Sequence, residues 1–393
     1  MGASDAEHVL AHRLSRFQAS PEWAPLADGE VAALLHSYLS TADFELTPVE
    51  VSWRSQRPQS SAALVETGAG TLFVKRHHQR VRSANDLFVE HAFAEHLSAE
   101  GQHVPRVLTT RGGATTVEHD EFIYEVHELL EGTDLYRDAV SWSLFSSLAH
   151  ARSAGSALAR LHLAARRFLL PPRLPTLLMN SSALVAASNP EVALQHLMNL
   201  RPDLASAPVA RDLPGDFARY HLDAVNDVSP FLAVLEPQWG HGDWHPSNLA
   251  WSADSADAGV VGFFDLGLAN RTFALHDLAL AIERSTIDWL DLADRGEIGI
   301  DFDALDALLD GYLEVTPLRA YEEQALIGLL PVVHIEHALS EVEYYSSVAE
   351  NHEHAELVYD EYFVGHTKWF REGAGVAVLD HLRARFATST ATR

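Results

Sequence analysis

The sequence predicts an α+β protein with two unequal lobes, a small strand-rich lobe followed by a larger helical one. Short β-branched and aromatic runs, with one helix among them, occupy the region 46–130. From Gly132 onward most apolar residues recur at helical spacing. A chain of 393 residues can bury a large core in this way without disulfide bonds. We therefore predict a helical N-terminal segment over 1–45, a small lobe over 46–130 and a helical lobe over 131–393.

The small lobe is predicted to hold a sheet and one helix. The strand candidates are the runs 49–53, 62–67, 71–75, 104–108 and 121–127. Between the second and the third lies Gly68-Ala-Gly70, which is typical of a hairpin turn. Ser83 and Asp86 form the capping-box-like start of the helix. In the second lobe the stretch 142–168 predicts a long helix.

Composition and charge narrow the functions open to this chain. Lys and Arg number 28 against 55 Asp and Glu, and the formal net charge of −27 disfavours a surface for nucleic acid. The absence of cysteine excludes a disulfide scaffold, a thiolate nucleophile and a Cys-ligated metal site. No apolar run approaches the roughly 18 residues of a membrane span, and the N-terminus lacks the pattern of a signal peptide. We expect a cytoplasmic protein that binds neither nucleic acid nor membrane.

One segment of the helical half indicates a specific chemistry. It reads His241-Gly-Asp-Trp-His-Pro-Ser-Asn248, and Asp265-Leu-Gly267 follows after a hairpin-sized gap. A carboxylate, an amide five residues later and a second carboxylate are the groups that transfer of a phosphoryl group from ATP needs. Asp243 would accept the proton of the attacking hydroxyl, whereas Asn248 and Asp265 would hold Mg²⁺ against the phosphates. His-Gly-Asp alone could be a plain polar turn, but the full pattern is far more specific.

The motif resembles that of the aminoglycoside phosphotransferase and choline kinase branch of the kinase-like fold, whose loop reads His-Gly-Asp-x-His-x-x-Asn. The resemblance implies a bilobal protein-kinase-like fold, with an antiparallel sheet in the first lobe and a mainly helical second lobe. It also implies a phosphotransferase that moves the γ-phosphate of ATP, with Mg²⁺, to a hydroxyl of a small molecule. His241 and His245 would support the loop. Asp277, at the start of a later helix, would brace it or serve only as a partner of the helix dipole.

A lysine in the small lobe supports the resemblance. Lys75 ends a predicted strand before a helix, where such folds place the lysine that contacts the α- and β-phosphates. Only two of the 28 cations are lysine, so a lysine at this position indicates a need for a compact point charge. Glu90 shares a helical face with Phe93 and Leu97, and a carboxylate on a buried face needs a partner. We predict that Glu90 pairs with Lys75.

The resemblance implies two further nucleotide contacts. The backbone of Val126-His-Glu128 would be the hinge that meets adenine, and a plain interlobe strand is the alternative. The loop 57–62 stands where a phosphate-covering loop belongs. It is not rich in glycine, which departs from the expected pattern, but Ser60 and Ser61 could donate hydrogen bonds to phosphate.

The C-terminal segment 320–367 is acidic and rich in histidine. It contains ten Asp or Glu and no Lys or Arg. In the family, helices after the catalytic segment form the acceptor pocket. An acidic lining would favour a cationic hydroxyl compound such as an aminoglycoside, an amino sugar, homoserine or a choline-like amine, whereas solvent-facing acids are an equal alternative. The clusters His334/His337 and His352/His354 lack the spacing of a zinc protease, and we interpret them as a solvated helix face.

Two other functions are compatible with parts of the sequence. A Ser/Thr protein kinase of the same fold would carry an activation segment with an Ala-Pro-Glu-type ending, and none is recognisable. A non-catalytic nucleotide-binding module is disfavoured by the intact set of Lys, Asp, Asn and Asp. The sequence does not identify the acceptor or predict an oligomeric state.

Overall fold

The computed structural model describes residues 23–38, 49–55, 59–68, 70–137, 139, 141–173, 177–210, 212–289 and 298–390. Most of the predicted N-terminal helical segment lies outside these residues, as do Arg57 and Pro58 of the predicted phosphate loop. Within the described part of that segment, helix α1 spans Asp28–Leu35.

The small lobe is a five-stranded sheet with the order β1-β2-β3-β5-β4, and every neighbouring pair is antiparallel. The strands are β1 Glu50–Arg54, β2 Ser61–Thr67, β3 Gly70–His78, β4 Thr116–His119 and β5 Phe122–Glu128. Helix α1 packs Val31 and Leu35 into a core with Val74 of β3. Because successive side chains alternate along a strand, Lys75 lies on the opposite face of the sheet.

Two strand predictions in this lobe need correction. The run 104–108 forms only an isolated bridge between Val107 and His127. Pro105 explains this, because it has no amide to donate to a ladder. The edge strand β4 instead comes from a polar stretch, Thr-Val-Glu-His, whose composition predicts no strand.

Helix α2, Ala84–Ala99, joins the two lobes. It begins with the predicted capping box, in which the Ser83 hydroxyl and the Asp86 carboxylate each accept a backbone amide. Its buried face carries Phe93 and Leu97 into the core of the second lobe. Glu90, about one turn earlier on that face, is thereby placed at the lobe boundary.

The second lobe is mainly helical. Its helices are α3 Leu148–Ala165, α4 Pro190–Leu200, α5 Pro202–Ser206, α6 Leu213–Tyr220, α7 Leu222–Leu232, α8 Ala274–Thr286, α9 Phe302–Val315, α10 Ala320–Leu329, α11 Ile335–Glu343, α12 His352–Leu357, α13 His366–Trp369 and α14 Gly373–Thr390, with π-helical turns at Tyr344–Val348 and Val358–Gly365. Helix α3 begins at Leu148 and not at 142, because the Ser147 hydroxyl caps it by accepting the amide of His150.

Helices α3 and α9 cross closely because each has a glycine at the contact. A Cβ at Gly155 would overlap the carbonyl of Leu308, and one at Gly311 would overlap the carbonyl of Arg152. Close packing of this kind fixes α3, which carries His162 toward the site described below.

Short strands outside the main sheet position the loops of that site. They are β6 Gln238–Gly240, β7 Leu249–Trp251, β8 Val260–Phe263 and β9 Asn270–Thr272, followed by the pair β10 Ile287–Asp288 and β11 Gly299–Ile300. β6 pairs with β9, and β7 pairs with β8. The loop 241–248 and the segment 264–269 therefore lie side by side between the two ladders.

Candidate active site

The loop 241–248 is fixed by Asp277 in the first turn of α8. Its carboxylate accepts the amides of His241 at 2.5 Å and Gly242 at 2.7 Å, and lies 3.2 Å from Nε2 of His162. Burial raises the pKa of Asp277, but the hydrogen bond and charge of His162 and the loop amide lower it more, so it lies below its ordinary value. A Cβ at Gly240 would overlap this carboxylate. Asp277 therefore contacts the loop itself, which goes beyond a helix-dipole partner.

His241 connects this loop to the next acidic segment. Its Nε2 donates to the carbonyl of Phe264 at 2.9 Å, and its Nδ1 accepts the amide of Asp243 at 3.2 Å. These two bonds assign the ring its Nε2–H tautomer. Because Asp265 directly follows Phe264, the ring holds the two acidic positions next to each other.

Asp243 is the most constrained carboxylate of the site. Oδ2 accepts Nδ2 of Asn248 at 3.0 Å and lies 3.5 Å from Nε2 of His245, whereas Oδ1 is paired with Arg284. Burial raises the pKa of Asp243, but the charges of His245 and Arg284 lower it more, and it lies well below its ordinary value. The side chain keeps 18% exposure, so an anionic oxygen is accessible at this point.

Asn248 and Asp265 present the oxygen donors that a divalent cation needs. Nδ2 of Asn248 donates to the backbone oxygen and to Oδ2 of Asp243, at 2.9 and 3.0 Å, so its Oδ1 points away from Asp243. Asp265 has φ +60°, a left-handed conformation that is strained for a non-glycine residue and is found at functional sites. An amide oxygen and a carboxylate are hard donors, and the pair fits Mg²⁺.

Lys75 reaches across the lobe boundary to Asp265. Its Nζ lies 2.9 Å from Oδ1. Burial lowers the pKa of Lys75, but the charges of Asp265, Glu125 and Glu90 raise it above its ordinary value. Conversely, burial raises the pKa of Asp265, and Lys75 lowers it by more. The lysine and the acidic segment thus form one electrostatic unit across the cleft.

The predicted pairing of Glu90 with Lys75 is wrong. Glu90 is buried, as its helical face predicts, but its carboxylate lies 3.4 Å from Arg173 and Lys75 has turned to Asp265. Glu90 acts on Lys75 only through its charge at longer range. The helical pattern correctly indicated a need for a partner, but Arg173 lies 83 residues away in sequence, where local spacing carries no signal.

Two buried arginines hold the Asp265 segment by its carbonyl groups. Arg82 donates to the carbonyl of Gly267 at 3.0 Å and to that of Leu178 at 2.6 Å. Arg173 donates to the carbonyls of Leu266 at 3.2 Å and Ala269 at 3.0 Å. Neither arginine belongs to a motif, so the sequence analysis did not identify them.

Val126 and Glu128, whose backbone we predict to meet adenine, each use one backbone group to bond the preceding segment. The carbonyl of Val126 accepts the amide of Leu108 at 2.8 Å, and the amide of Glu128 donates to the carbonyl of Arg106 at 2.9 Å. The carbonyl of Val126 and the amide of Glu128 are therefore already bonded, and contact of this strand with adenine stays a prediction.

Ser61 is also withdrawn as a phosphate contact. It is buried on β2, where its hydroxyl donates to the carbonyl of Ala24 and accepts from Arg76, both at 3.1 Å. Ser60 is half-buried in the loop that precedes β2 and is still a candidate.

The C-terminal histidines are not a solvated face, contrary to our interpretation. His334, His337 and His354 are buried, and only His352 of these clusters is exposed. Nδ1 of His334 lies 3.7 Å from Glu283 of α8. His366 of α13 lies 3.0 Å from the same glutamate, and α11 packs against α12. This packing buries positions that have no apolar signature in the sequence.

Some acidic residues of the segment 320–367 are buried and others face solvent. Glu336, Glu341 and Glu343 are buried, whereas residues such as Glu353 are exposed. Glu341 accepts a hydrogen bond at 2.9 Å from Gln59, in the loop before β2. Glu341 therefore lies where the candidate phosphate loop meets the helical lobe.

Arg284 is a third arginine of the site that the sequence analysis missed. It is fully buried on α8, pairs with Asp243 and donates to the carbonyl of Gly242 at 3.1 Å. Its guanidinium lies over the ring of Trp142, 4.8 Å from the centroid. One signal was available, because Arg284 follows Asp277 by seven residues and such positions share a helix face.

Solved kinases share this fold. A microcompartment-associated aminopropanol kinase has a TM-score of 0.54 at 14% identity, covering 89% of this chain and 99% of that chain. Choline kinase from Cryptosporidium parvum Iowa II also has a TM-score of 0.54, at 11% identity, covering 91% of this chain and 99% of that chain. The predicted class, a bilobal α+β protein with a kinase-like fold, is confirmed.

The chain belongs to the phosphotransferase enzyme family (APH), whose sequence profile matches residues 57–319. Homoserine kinase from Phenylobacterium zucineum (strain HLK1) is 27% identical over 324 residues, which cover 77% of this chain and 81% of the relative. Homoserine kinase from Allorhizobium ampelinum is 27% identical over 268 residues, 68% of this chain and 72% of the relative. The protein is thus a kinase with an alcohol group as acceptor. In the described part of the chain, no helix combines the length and the apolar character of a membrane span.

Proposed function

We propose that the protein transfers the γ-phosphate of ATP to a hydroxyl of a small molecule, with Mg²⁺, and that Asp243 is its catalytic residue. The observation that carries this proposal is the assembly of Asp243, Asn248 and Asp265 in adjoining loops, with Lys75 of the other lobe on Asp265. Phosphoryl transfer needs an anion for the hydroxyl, oxygen ligands for the metal and a cation for the phosphates.

In the proposed reaction, Asp243 orients the acceptor hydroxyl and receives its proton as the oxygen bonds to the γ-phosphorus. The bond from that phosphorus to the bridging oxygen breaks, and its electron pair leaves with ADP. The low pKa of Asp243 makes it a weak base. Its main contribution is therefore orientation, and the proton transfers once the new bond has begun to form.

Asn248 and Asp265 would hold Mg²⁺, which when bound neutralises charge on the phosphates. Lys75 would contact the α- and β-phosphates in place of part of its bond to Asp265. This exchange keeps a largely buried ammonium compensated by an anion throughout.

We further propose that the acceptor carries an ammonium group. Homoserine, aminopropanol and choline, which the names of the similar kinases contain, all combine a hydroxyl with an amino or ammonium group. Glu341 supports an acceptor with an ammonium group, because its carboxylate contacts Gln59 in the loop before β2 and could pair with a cation there. The segment 320–367 contains no Lys or Arg, and its His337 lies 3.7 Å from that carboxylate.

The test is a matched panel of acceptors with ATP and Mg²⁺, read by ³¹P NMR for ADP and a phosphomonoester. Homoserine, 1-amino-2-propanol, choline and an aminoglycoside are compared with alcohols of similar size that lack the amine. We expect transfer to at least one amine-bearing alcohol and little to its amine-free counterpart. Equal use of both would remove the ammonium proposal, and no nucleotide binding by calorimetry at millimolar ATP with Mg²⁺ would remove the ATP-dependent reaction.

Glu341→Gln tests the acceptor contact within the same assay. The variant should raise KM for the acceptor and change KM for ATP much less, because the amide oxygen can still accept the hydrogen bond of Gln59 whereas the acceptor loses an anionic partner. Glu353→Gln, which alters an exposed acid of α12, is the matched control. An equal response of the two variants would contradict a role for Glu341 in binding.

A further inference from the structure

We propose that Arg284 is a positioning residue for phosphoryl transfer: it fixes the Asp243 carboxylate so that Oδ2 faces the acceptor hydroxyl, and it compensates the charge of that carboxylate. This inference rests on the proposed function, because it gives Arg284 a part in the same reaction. His245 of the loop 241–248 lies 3.5 Å from Oδ2, but the loop contains no Lys or Arg, so the permanently charged partner of Asp243 comes from α8.

The contacts of Asp243 differ between its two oxygens. Oδ1 is taken by the Arg284 guanidinium, whereas Oδ2 accepts an amide N–H from Asn248 at 3.0 Å and lies 3.5 Å from Nε2 of His245. An ion pair on one oxygen sets the rotation of the carboxylate plane. It also leaves the other oxygen as the one that can accept a hydroxyl.

Arg284 is itself held rigidly. Its NH1 also donates to the carbonyl of Gly242, and its guanidinium stacks on Trp142. Trp142 is buried and has φ +68°, a left-handed conformation that is rare for a bulky residue. The chain thus accepts a strained backbone where the ring covers the guanidinium.

Burial limits Arg284 to an indirect role. Its side chain has no solvent exposure, so it cannot reach a phosphate bound in the cleft. Helix α8 therefore holds the catalytic loop at two points on one face, with Asp277 on the loop amides and Arg284 on the Gly242 carbonyl and on Asp243. Loss of Arg284 should change how Asp243 is presented and leave nucleotide contacts intact.

The first experiment compares Arg284→Gln and Arg284→Lys with the wild type, using an acceptor identified in the panel. Misplacement of a catalytic group by about 1 Å costs up to about 100-fold, so we expect kcat of Arg284→Gln to fall by roughly that factor. KM for ATP should stay unchanged, and Arg284→Lys should recover part of kcat because it keeps the charge. Arg201→Gln is the matched control, since Arg201 is also buried and is paired with Glu343; it should lose stability and keep kcat.

A double-mutant cycle with Asp243→Asn covers the case in which Arg284→Gln is too unstable to assay. Each single variant leaves one buried charge without its partner, whereas the double variant has neither charge. We expect the double variant to have a higher Tm than either single variant. Its kcat should match that of Asp243→Asn within about threefold, because Arg284 acts through Asp243.

Additive losses of Tm and multiplicative losses of kcat would overturn the proposal, as would a wild-type kcat in folded Arg284→Gln. A fall in ATP affinity equal to the fall in kcat would reduce Arg284 to a general structural role and overturn it too. Failure of the proposed function looks different, because the wild type itself would then transfer no phosphate. The Tm values of the double-mutant cycle would still show whether Arg284 and Asp243 pair. Without the reaction, however, Arg284 would have no positioning role.

Discussion

The two loops that supply the candidate catalytic groups are held by opposite charges. The loop 241–248 is braced by the carboxylate of Asp277, which accepts backbone amides. The segment 265–269 is braced by the guanidinium groups of Arg82 and Arg173, which donate to backbone carbonyls. The difference follows from the backbone, because loop amides need an acceptor and loop carbonyls need a donor.

Each brace also shows how a buried charge is compensated. Asp277 lies 3.2 Å from His162 of α3, and Arg173 lies 3.4 Å from Glu90 of α2. Each compensating residue pairs with the charged side chain that holds the loop, so its loss leaves an uncompensated charge against that loop. The comparison therefore predicts that the loops respond to changes at residues remote from the chemistry.

The largest expected effect contrasts the two acids that the loops present. Asp243→Asn should lower turnover by roughly 10²–10⁴-fold, because it removes the carboxylate that orients the acceptor hydroxyl and receives its proton. ATP affinity should hardly change. Asp265→Asn should instead weaken Mg²⁺-dependent ATP binding, because Asp265 is the proposed metal ligand and the partner of Lys75.

Steady-state kinetics and calorimetry on the two folded variants distinguish these outcomes. Near-normal turnover in Asp243→Asn with a confirmed acceptor would remove it as the catalytic residue. Equal losses of ATP affinity in both variants would mean that the two loops do not divide their roles as proposed.

The second prediction concerns Arg173, one of the two arginines that hold the segment 265–269. Removing one partner of a buried ion pair typically costs about 3–5 kcal/mol, so Arg173→Gln should strongly destabilise the protein. Adding Glu90→Gln should restore part of that loss, because the double variant has no buried charge at this point. Urea unfolding of the four proteins measures the coupling.

A second pair of variants, at Lys75 and Glu90, serves as the comparison for the Arg173 and Glu90 variants. Lys75→Ala and Glu90→Ala should give nearly multiplicative losses of nucleotide use, because the two side chains are not directly paired. If their double variant were no worse than the worse single variant, Lys75 and Glu90 would act as one unit after all.

The smallest expected effect concerns Asp277, whose carboxylate holds the loop 241–248. Asp277→Asn keeps one acceptor oxygen but turns an N–H toward a backbone amide, and a buried donor without a partner costs about 1–3 kcal/mol. The pKa of Asp277 is lowered in the folded protein, so its stabilisation is present above the unfolded value of about 3.9 and is lost as the pH falls through the lower folded value.

Thermal unfolding as a function of pH measures this contribution. The difference in Tm between the wild type and Asp277→Asn should be largest near neutral pH and should narrow as the solution becomes acidic. A difference that widens toward acid would show that Asp277 is not held as an anion by the loop.

Much of this architecture could be predicted from local sequence. Val74 and Lys75 of β3 alternate between the faces of the sheet, and the Ser83 cap sets the start of α2. Such features depend on neighbours within a few positions, which is the range over which periodicity and capping act. The order of Asp243, Asn248 and Asp265 is local in the same sense, since the two loops are joined by a single hairpin.

Other features could not be predicted from the sequence, because they depend on contacts between residues far apart in the chain. The carbonyl of Val126 accepts the amide of Leu108. The hydroxyl of Ser61 donates to the carbonyl of Ala24 and accepts from Arg76. His334 is buried although it stands in a polar cluster. In each case a polar group has several possible partners of equal chemistry, and only the folded arrangement selects one.

The sequence by itself determined the fold class, the acid–amide–acid motif and the need for a lysine in the small lobe, because these follow from spacing and residue type. The tertiary structure decided which charges pair: Lys75 with Asp265, Glu90 with Arg173 and Asp243 with Arg284. Ion pairs between distant segments leave no periodic trace, since the attraction depends on the separation of the charges in space and on their burial. The physical reason that the site has this form is therefore the packing of α2 and α8 against the two loops.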